Sequence, residues 1–146
     1  MAVGGTLWAV LPENPGSLHD ESTAVRWSVP AGRALAAWVL VRNTGPDRLT
    51  LRELHVDSVP AGVKLLGFDV RRGYFPAVDD RWPSPKAAFR RLAGFVLLPH
   101  TKATIAIGVA TDATGSVRLS GVRVRYRQDG EKHELSVSAP AVLRVR

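Results

Sequence analysis

The last thirty residues of the chain alternate between apolar and polar side chains, and this pattern constrains the fold more than any other feature. The apolar positions of its first arm are Val117, Leu119, Val122, Val124 and Tyr126. A repeat of two residues is typical of a β-strand with one face on a core and one in water. Asp129-Gly130 follows, and this dipeptide favours a tight hairpin turn. The pattern predicts a hairpin over 116–128 and 132–145, and therefore an antiparallel all-β domain.

Further strand patterns run through the rest of the chain, separated by turn clusters rich in Gly, Pro and Asn. The predicted segments are 23–29, 34–42, 49–56, 63–70 and 104–110, with a short apolar segment at 6–11. Turn signals every 8–14 residues are typical of a β-sandwich. The sequence therefore predicts a sandwich of seven to nine strands with one long loop. Residues 1–22 are expected to form an arm or edge strand, and 23–146 the sandwich domain.

Three local features refine this prediction. Segment 34–42 is apolar on both faces, which indicates a central strand covered on both sides, with Trp38 under the long loop. The inward positions slip between Leu119 and Val122, which predicts a β-bulge at Gly121. Segment 86–93 is the best candidate for a short helix.

Composition limits the classes of protein and of site. The net charge is +7, so an acidic partner such as nucleic acid, anionic lipid or an anionic wall polymer is an open option. The chain has no cysteine, which excludes disulfides and cysteine-based metal sites. Residues 1–11 lack the pattern of a signal peptide, and no window has the apolar length of a membrane span. The location therefore stays open between a cytosolic protein and a piece of a longer exported or anchored protein, and an extracytoplasmic location is expected in the second case.

Several passages together resemble the immunoglobulin-like β-sandwich domains of bacterial envelope proteins. They are 30–33, the strand and Asn-Thr-Gly turn of 38–45, 49–51, 95–99 with 104–107, and 119–126. The similarity covers roughly 23–145 without the 71–88 loop, and it is one of pattern. It implies an immunoglobulin-like fold, and a spacer or binding module of the cell envelope that carries no catalytic residues.

The long loop at 71–88 is the first place to expect function. Loops of this length are uncommon in a compact domain and often bind partners. Its aromatic residues are Tyr74, Phe75 and Trp82, and its flanking basic residues include Arg71, Arg72 and Arg81. Aromatic and arginine side chains dominate the hot spots of protein interfaces. These six residues are the predicted protein-binding set. The alternative is that the aromatic residues fold back and cap the sandwich over Trp38.

A second candidate surface is basic. Arg123, Arg125 and Arg127 project from one face of one strand, and with Arg118 they form a predicted arginine ridge. Such a ridge suits phosphates or acidic lipid headgroups. The face lacks the aromatic residues that single-stranded nucleic acids stack on, so no specific nucleic-acid partner is expected. The alternative is a row of arginines that only keeps the outer face soluble.

No pattern of catalytic or metal-binding residues stands out. The four histidines are not at metal-ligand spacing, and Asp79-Asp80 is followed directly by Arg81. A site assembled from distant residues, with His55, His100, Asp79 and Asp80 as candidates, is the third hypothesis. The expectation is a protein that is not an enzyme, with no catalytic residues, no metal and no cofactor. Nothing in the sequence selects an oligomeric state or identifies the partner.

Overall fold

The structure is a computed structural model that describes residues 16–22, 26–29, 34–73, 82, 90–111, 115–137 and 142–145. These residues form β-strands, turns and connections, and no helix occurs among them. The twelve strands are β1 (Leu18–Asp20), β2 (Arg26–Val29), β3 (Ala34–Asn43), β4 (Leu49–Ser58), β5 (Val63–Arg72), β6 (Arg90–Arg91), β7 (Val96–Leu97), β8 (Lys102–Thr111), β9 (Gly115–Arg118), β10 (Ser120–Gln128), β11 (Glu131–Ser136) and β12 (Val142–Val145).

The strands form three sheets. Sheet I has the order β1-β3-β8-β5-β6, sheet II the order β11-β10-β4-β7, and sheet III the order β2-β12-β9. Sheets I and II are antiparallel throughout, and β12 with β2 is the one parallel pair among the described strands. Nonconsecutive neighbours such as β3 and β8 show that the chain crosses between sheets, as it does in a sandwich.

The core lies between sheets I and II, which contribute side chains to one buried cluster. Sheet I supplies alternate residues of β3 and β8, including Val39, Ile105 and Ile107. Sheet II supplies Leu51 of β4 and Tyr126 of β10, and all five of these side chains are almost fully buried. Two antiparallel sheets that share a core define a β-sandwich, so the predicted all-β class and antiparallel sandwich architecture are confirmed.

Several details differ from the sequence prediction. The structure has more strands than expected, because short pieces such as β6 and β7 have too few residues to show a periodic pattern. The hairpin is limited to β10 and β11, since β12 leaves them and pairs with β2 and β9. In the candidate helix 86–93, the described residues form β6 and the start of a turn.

The hairpin turn itself is as predicted. Asp129 and Gly130 have φ of 53° and 77°, the two left-handed residues of a type I′ turn. The pairs then run from Gln128 with Glu131 to Arg123 with Ser136. This register places Tyr126 opposite His133, and both side chains are buried.

Register shifts occur in two of the described strand pairs, one in β5 between Leu65 and Gly67 and the other in β4, and neither is at Gly121. Arg125 pairs with Glu53 while Tyr126 pairs with Leu51, so Arg52 is the extra residue. No shift occurs at Gly121, where Ser120 pairs with Ser58 and Val122 with Val56. The slip in sequence there marks the point at which the chain leaves sheet III and enters sheet II.

A buried amide joins the ends of several strands. The Asn43 side chain accepts hydrogen bonds from the Ser17 hydroxyl at 2.6 Å and the Gly45 N–H at 3.1 Å, and its amide donates to the carbonyls of Asp47 and Leu97. Gln128 extends the network, because its amide donates to the Ser17 hydroxyl at 2.6 Å. Asn43 is fully buried, so these bonds replace the water that it lost on folding.

Candidate binding surfaces

The long loop leaves sheet I at a well-fixed point. Gly73 donates its N–H to the Lys102 carbonyl at 2.8 Å, and its own carbonyl accepts the Thr104 hydroxyl at 2.8 Å. The Arg72 guanidinium lies 4.8 Å from the centre of the Phe95 ring, a distance at which a cation is attracted to the ring face. Phe95 is buried, so it holds the guanidinium of Arg72 while the residue as a whole stays exposed.

Trp82, farther along the same loop, is anchored on the outer face of sheet I. Its backbone N–H donates to the Ala34 carbonyl at 3.1 Å. Its indole lies against Gly108 of β8, where an added Cβ would come within 2.4 Å of the ring carbons, and it also contacts Gly67 of β5. Glycines at these positions give the ring a flat seat on the backbone. Trp82 is therefore held by one hydrogen bond and by shape.

Trp82 behaves as the capping interpretation predicts. It packs with Trp38 against Ala36 and Ala106, a small apolar cluster on the face of sheet I that points away from the core. One residue of the long loop therefore lies on the same outer cluster as Trp38. Of the other predicted binding residues, Arg71 and Arg72 lie at the end of β5, while Tyr74, Phe75 and Arg81 fall outside the described residues.

The arginine ridge is not a continuous basic surface. Arg118 lies on β9 in sheet III, whereas Arg123, Arg125 and Arg127 lie on β10 in sheet II. Arg127 and Arg118 are exposed. The two central arginines, Arg123 and Arg125, are both paired with carboxylates of the neighbouring strands. The pairing changes the surface from a row of positive charges to an alternating one.

These pairs form a charge ladder across three strands. From β4 to β11 and back, the ladder joins Glu53, Arg125, Glu134, Arg123, Asp57 and His55. Glu134 is its centre: it accepts from Arg125 Nε at 2.8 Å and from Arg123 at 3.3 Å. Burial opposes the charge of Arg125, but its hydrogen bonds to Glu134 and Glu53 outweigh this effect and raise its pKa. Both guanidiniums are thereby engaged within the sheet, which explains how arginines at these positions remain ordered.

Gly121 makes room for one end of the ladder. A Cβ at this position would lie 2.4 Å from a carboxylate oxygen of Asp57, and the residue has a φ of 65°. Both constraints favour glycine. With that space open, Asp57 contacts Arg123 and also lies 3.1 Å from His55 Nε2. The glycine that the sequence suggested as a bulge is thus a site of close approach.

The residues proposed for a site assembled from distant positions are not brought into one described cluster. His55 pairs with Asp57 at the sheet surface, His100 is an exposed turn residue with a φ of 59°, and Asp79-Asp80 falls outside the described residues. Within the described part of the chain, no group of three or more His, Cys, Asp or Glu side chains could hold a metal ion. That hypothesis gains no support from the described geometry.

His133 is the polar residue that sequence reasoning missed. It is almost fully buried, and its ring centre lies 5.3 Å from that of Tyr126. Its Nδ1 is buried without a hydrogen-bond partner in the described structure. The signal was present, because His133 shares its parity on β11 with Leu135 and therefore points inward.

Comparisons with known proteins found similarity to solved structures at low sequence identity. No protein-family model matches the chain, and no curated protein matches it in sequence. The chain is similar to the ASH / PapD-like domain of human CEP192 (PapD-like domain 7), with 14% identity, a TM-score of 0.47 and coverage of 100% of this chain and 95% of that one. It is also similar to the Vibrio cholerae VesB protease, with 9% identity, a TM-score of 0.47 and coverage of 88% of this chain.

The secreted serine protease VesC from Vibrio cholerae is a third similar structure, with 8% identity, a TM-score of 0.39 and coverage of 90% of this chain. The chain spans 31% of the length of VesB and 23% of that of VesC.

Over the described residues, no helix has the length and apolar character needed to cross a membrane. The strands and sheets described above therefore remain the basis for the fold, and the binding surfaces the basis for function.

Proposed function

We propose that this chain is a non-enzymatic interaction module that binds a protein partner through its 71–88 loop. The observation that carries the proposal is the anchoring of the loop on sheet I at two points. Gly73 is joined to β8 by two hydrogen bonds. The Trp82 ring packs on Gly108, and the Trp82 backbone N–H donates to the Ala34 carbonyl. Tyr74 and Phe75 begin the span between these anchors.

The two anchors matter because binding a partner restricts the motion of the residues that contact it, and this restriction costs free energy. A span whose ends are already fixed has less conformational freedom to lose when a partner binds. Aromatic side chains then contribute the large apolar areas that dominate interface energies. Trp82 serves as an internal anchor in this scheme, and Tyr74 and Phe75 are left as the aromatic residues that contact the partner.

The alternative proposal, binding of an anionic polymer through the arginine ridge, has weaker support. Arg123 and Arg125 already form ion pairs with carboxylates within sheet II, so an anionic polymer would have to displace those pairs. The location in the cell envelope is part of the proposal through the resemblance in strand pattern.

The test removes the two loop aromatics together. The wild-type domain and the Tyr74→Ala/Phe75→Ala variant are used to capture partners from an extract of the producing cells, with quantification by mass spectrometry. A matched control, Leu66→Ala/Leu98→Ala, removes the two large apolar side chains that are exposed elsewhere, at 39% and 47%. Unfolding midpoints of all three proteins show that each is folded.

We expect the loop variant to lose a defined partner by at least about tenfold, which is the effect of losing two hot-spot side chains. The control is expected to retain that partner. Equal recovery of every captured protein by the folded loop variant would refute the proposal.

A further inference from the structure

A second group of arginines, at the β6 end of sheet I, has a different environment from those of the charge ladder. We call it the arginine rim, and its members are Arg71, Arg72, Arg90 and Arg91, on β5 and β6. Arg72, Arg90 and Arg91 are exposed. In the part of the chain that the structure describes, no carboxylate forms an ion pair with these three. The rim lies directly beside the start of the 71–88 loop.

The register of the two strands arranges the rim in two pairs. Val70 pairs with Arg90 and Asp69 with Arg91. Arg72 is therefore the diagonal neighbour of Arg90, and Arg71 that of Arg91, with one pair toward each face of the sheet. Diagonal neighbours in antiparallel sheets lie about 7–8 Å apart. Asp69 is the one acidic residue on β5 and β6, and burial raises its pKa.

This spacing fits carboxylates on an extended peptide. Alternate side chains of a strand point to the same side and lie about 7 Å apart, which is the separation of the rim's diagonal pairs. Arginine guanidiniums bind carboxylates through two parallel hydrogen bonds, which favours them over lysine at such a site. At least one of the rim's guanidiniums is held in place, because Arg72 lies over the Phe95 ring.

We infer that the arginine rim binds an acidic, extended segment of the protein partner. This inference rests on the proposed function, since it names the chemistry of the partner. A nucleic acid or a lipid surface fits less well, because either one needs a basic surface that extends over many phosphates. The outer face of sheet II, with its paired ladder of arginines and carboxylates, does not continue the positive surface. Phe95 is buried, so the rim also lacks an exposed described ring for a base to stack on.

The test uses a fluorescently labelled decaglutamate peptide as the probe and measures its binding by fluorescence anisotropy. The rim variant is Arg90→Ala/Arg91→Ala. The matched control is Arg118→Ala/Arg127→Ala, which removes the same charge from two exposed arginines on other sheets. If the double rim variant has a lower unfolding midpoint than the wild type, the single variant Arg91→Gln replaces it.

We expect the wild-type protein to bind the peptide, with an affinity that falls as salt is added. The rim variant is expected to bind about fivefold more weakly, because each face of the rim loses one of its two arginines, and the control within about twofold of the wild type. Equal weakening in both variants would mean that net charge alone attracts the peptide, and would overturn the inference. So would tighter binding of a single-stranded DNA decamer than of the peptide.

The outcome is separable from that of the loop experiment. If Tyr74→Ala/Phe75→Ala leaves every partner bound while the rim variant loses decaglutamate, the loop proposal fails and the rim remains an acidic-peptide site. If the loop variant loses its partner and the peptide does not bind, the loop proposal stands and the rim inference is overturned.

Discussion

Replacing Gly108 by alanine should have opposite effects on stability in two backgrounds. In the wild-type protein the new methyl group would lie 2.4 Å from the Trp82 ring carbons, so the indole must move off its seat. In a Trp82→Ala protein those ring carbons are absent, so this clash is removed. Gly108 is paired on both sides, with Ala36 of β3 and Gly67 of β5, and no left-handed φ opposes the change.

The magnitudes follow from the buried area. An indole buries about 150–250 Å² when it is fully enclosed, and Trp82 is partly exposed. Returning about 100 Å² of it to water costs about 2–3 kcal/mol. Glycine to alanine inside a strand otherwise stabilises the folded state by about 0.5–1 kcal/mol. We therefore expect Gly108→Ala to lower the free energy of unfolding by about 1–2 kcal/mol in the wild-type protein and to raise it by about 0.5–1 kcal/mol beside Trp82→Ala.

The assay is a double-mutant cycle of four proteins, each unfolded in urea and followed by circular dichroism. The expected interaction energy between positions 82 and 108 is about 2–3 kcal/mol, within the range for side chains in contact. Because Gly108→Ala is made in both backgrounds, its effect on the unfolded chain is treated as the same in each and cancels from the interaction energy. Equal effects of Gly108→Ala in both backgrounds would show that Trp82 is not seated on β8, and would also remove one of the two anchors on which the loop proposal depends.

Three further predictions concern the buried amide, the buried phenol and the charge ladder. Asn43→Ala should lower the free energy of unfolding by about 2–4 kcal/mol, because it leaves buried polar groups without their hydrogen-bond partner. Thr44→Ala removes one exposed hydrogen bond and should lower the free energy of unfolding by less than about 1 kcal/mol in the same denaturation assay. Burial raises the pKa of Tyr126 to about 12, against a small lowering by its hydrogen bond from the Leu18 N–H. The folded state therefore keeps a proton that the unfolded chain loses above pH of about 10, so the contribution of Tyr126 to stability should be constant below that pH and fall by about 1 kcal/mol per pH unit up to about 12. Tyr126→Phe should abolish this slope and the upper step of an ultraviolet phenolate titration. Arg125→Ala should cost about 1–2 kcal/mol and Arg118→Ala less than about 0.5 kcal/mol, and equal costs in thermal unfolding would contradict the ladder.

The strand pattern was sufficient to predict the class of fold, because each long strand has its own periodicity. β8 is an example: Ile105, Ile107 and Val109 alternate in the sequence, and the structure buries all three in the core. The turn at Asp129-Gly130 was predictable for a local reason as well, since both residues tolerate a left-handed φ. Short strands such as β6 have no periodicity of their own, and they form only because β5 offers an edge on which to pair.

Two slips in parity look alike in the sequence and have different causes. Between Leu51 and Leu54, the structure has a bulge within one strand pair. Between Leu119 and Val122, the chain passes from sheet III to sheet II with no shift in register. A slip shows only that the inward face has changed by one residue. Which of the two devices produces it depends on the partner strand, and that partner is distant in sequence.

The candidate surfaces show the same limit in their charges. A row of arginines on β10 predicted a basic ridge, but Arg123 and Arg125 are neutralised by Asp57 and Glu53 of β4 and by Glu134 of β11. Those carboxylates lie beside the arginines only because β10 is placed between β4 and β11 in this register, with Glu53 and Glu134 opposite Arg125. At the edge of sheet I, Arg72, Arg90 and Arg91 form no ion pair with a carboxylate of the described residues, and the one acidic residue on β5 and β6 is the partly buried Asp69. The net charge of a surface therefore depends on which strands pair and in which register. Arginines of one chain can form ion pairs within one sheet and be suited to binding a partner on another.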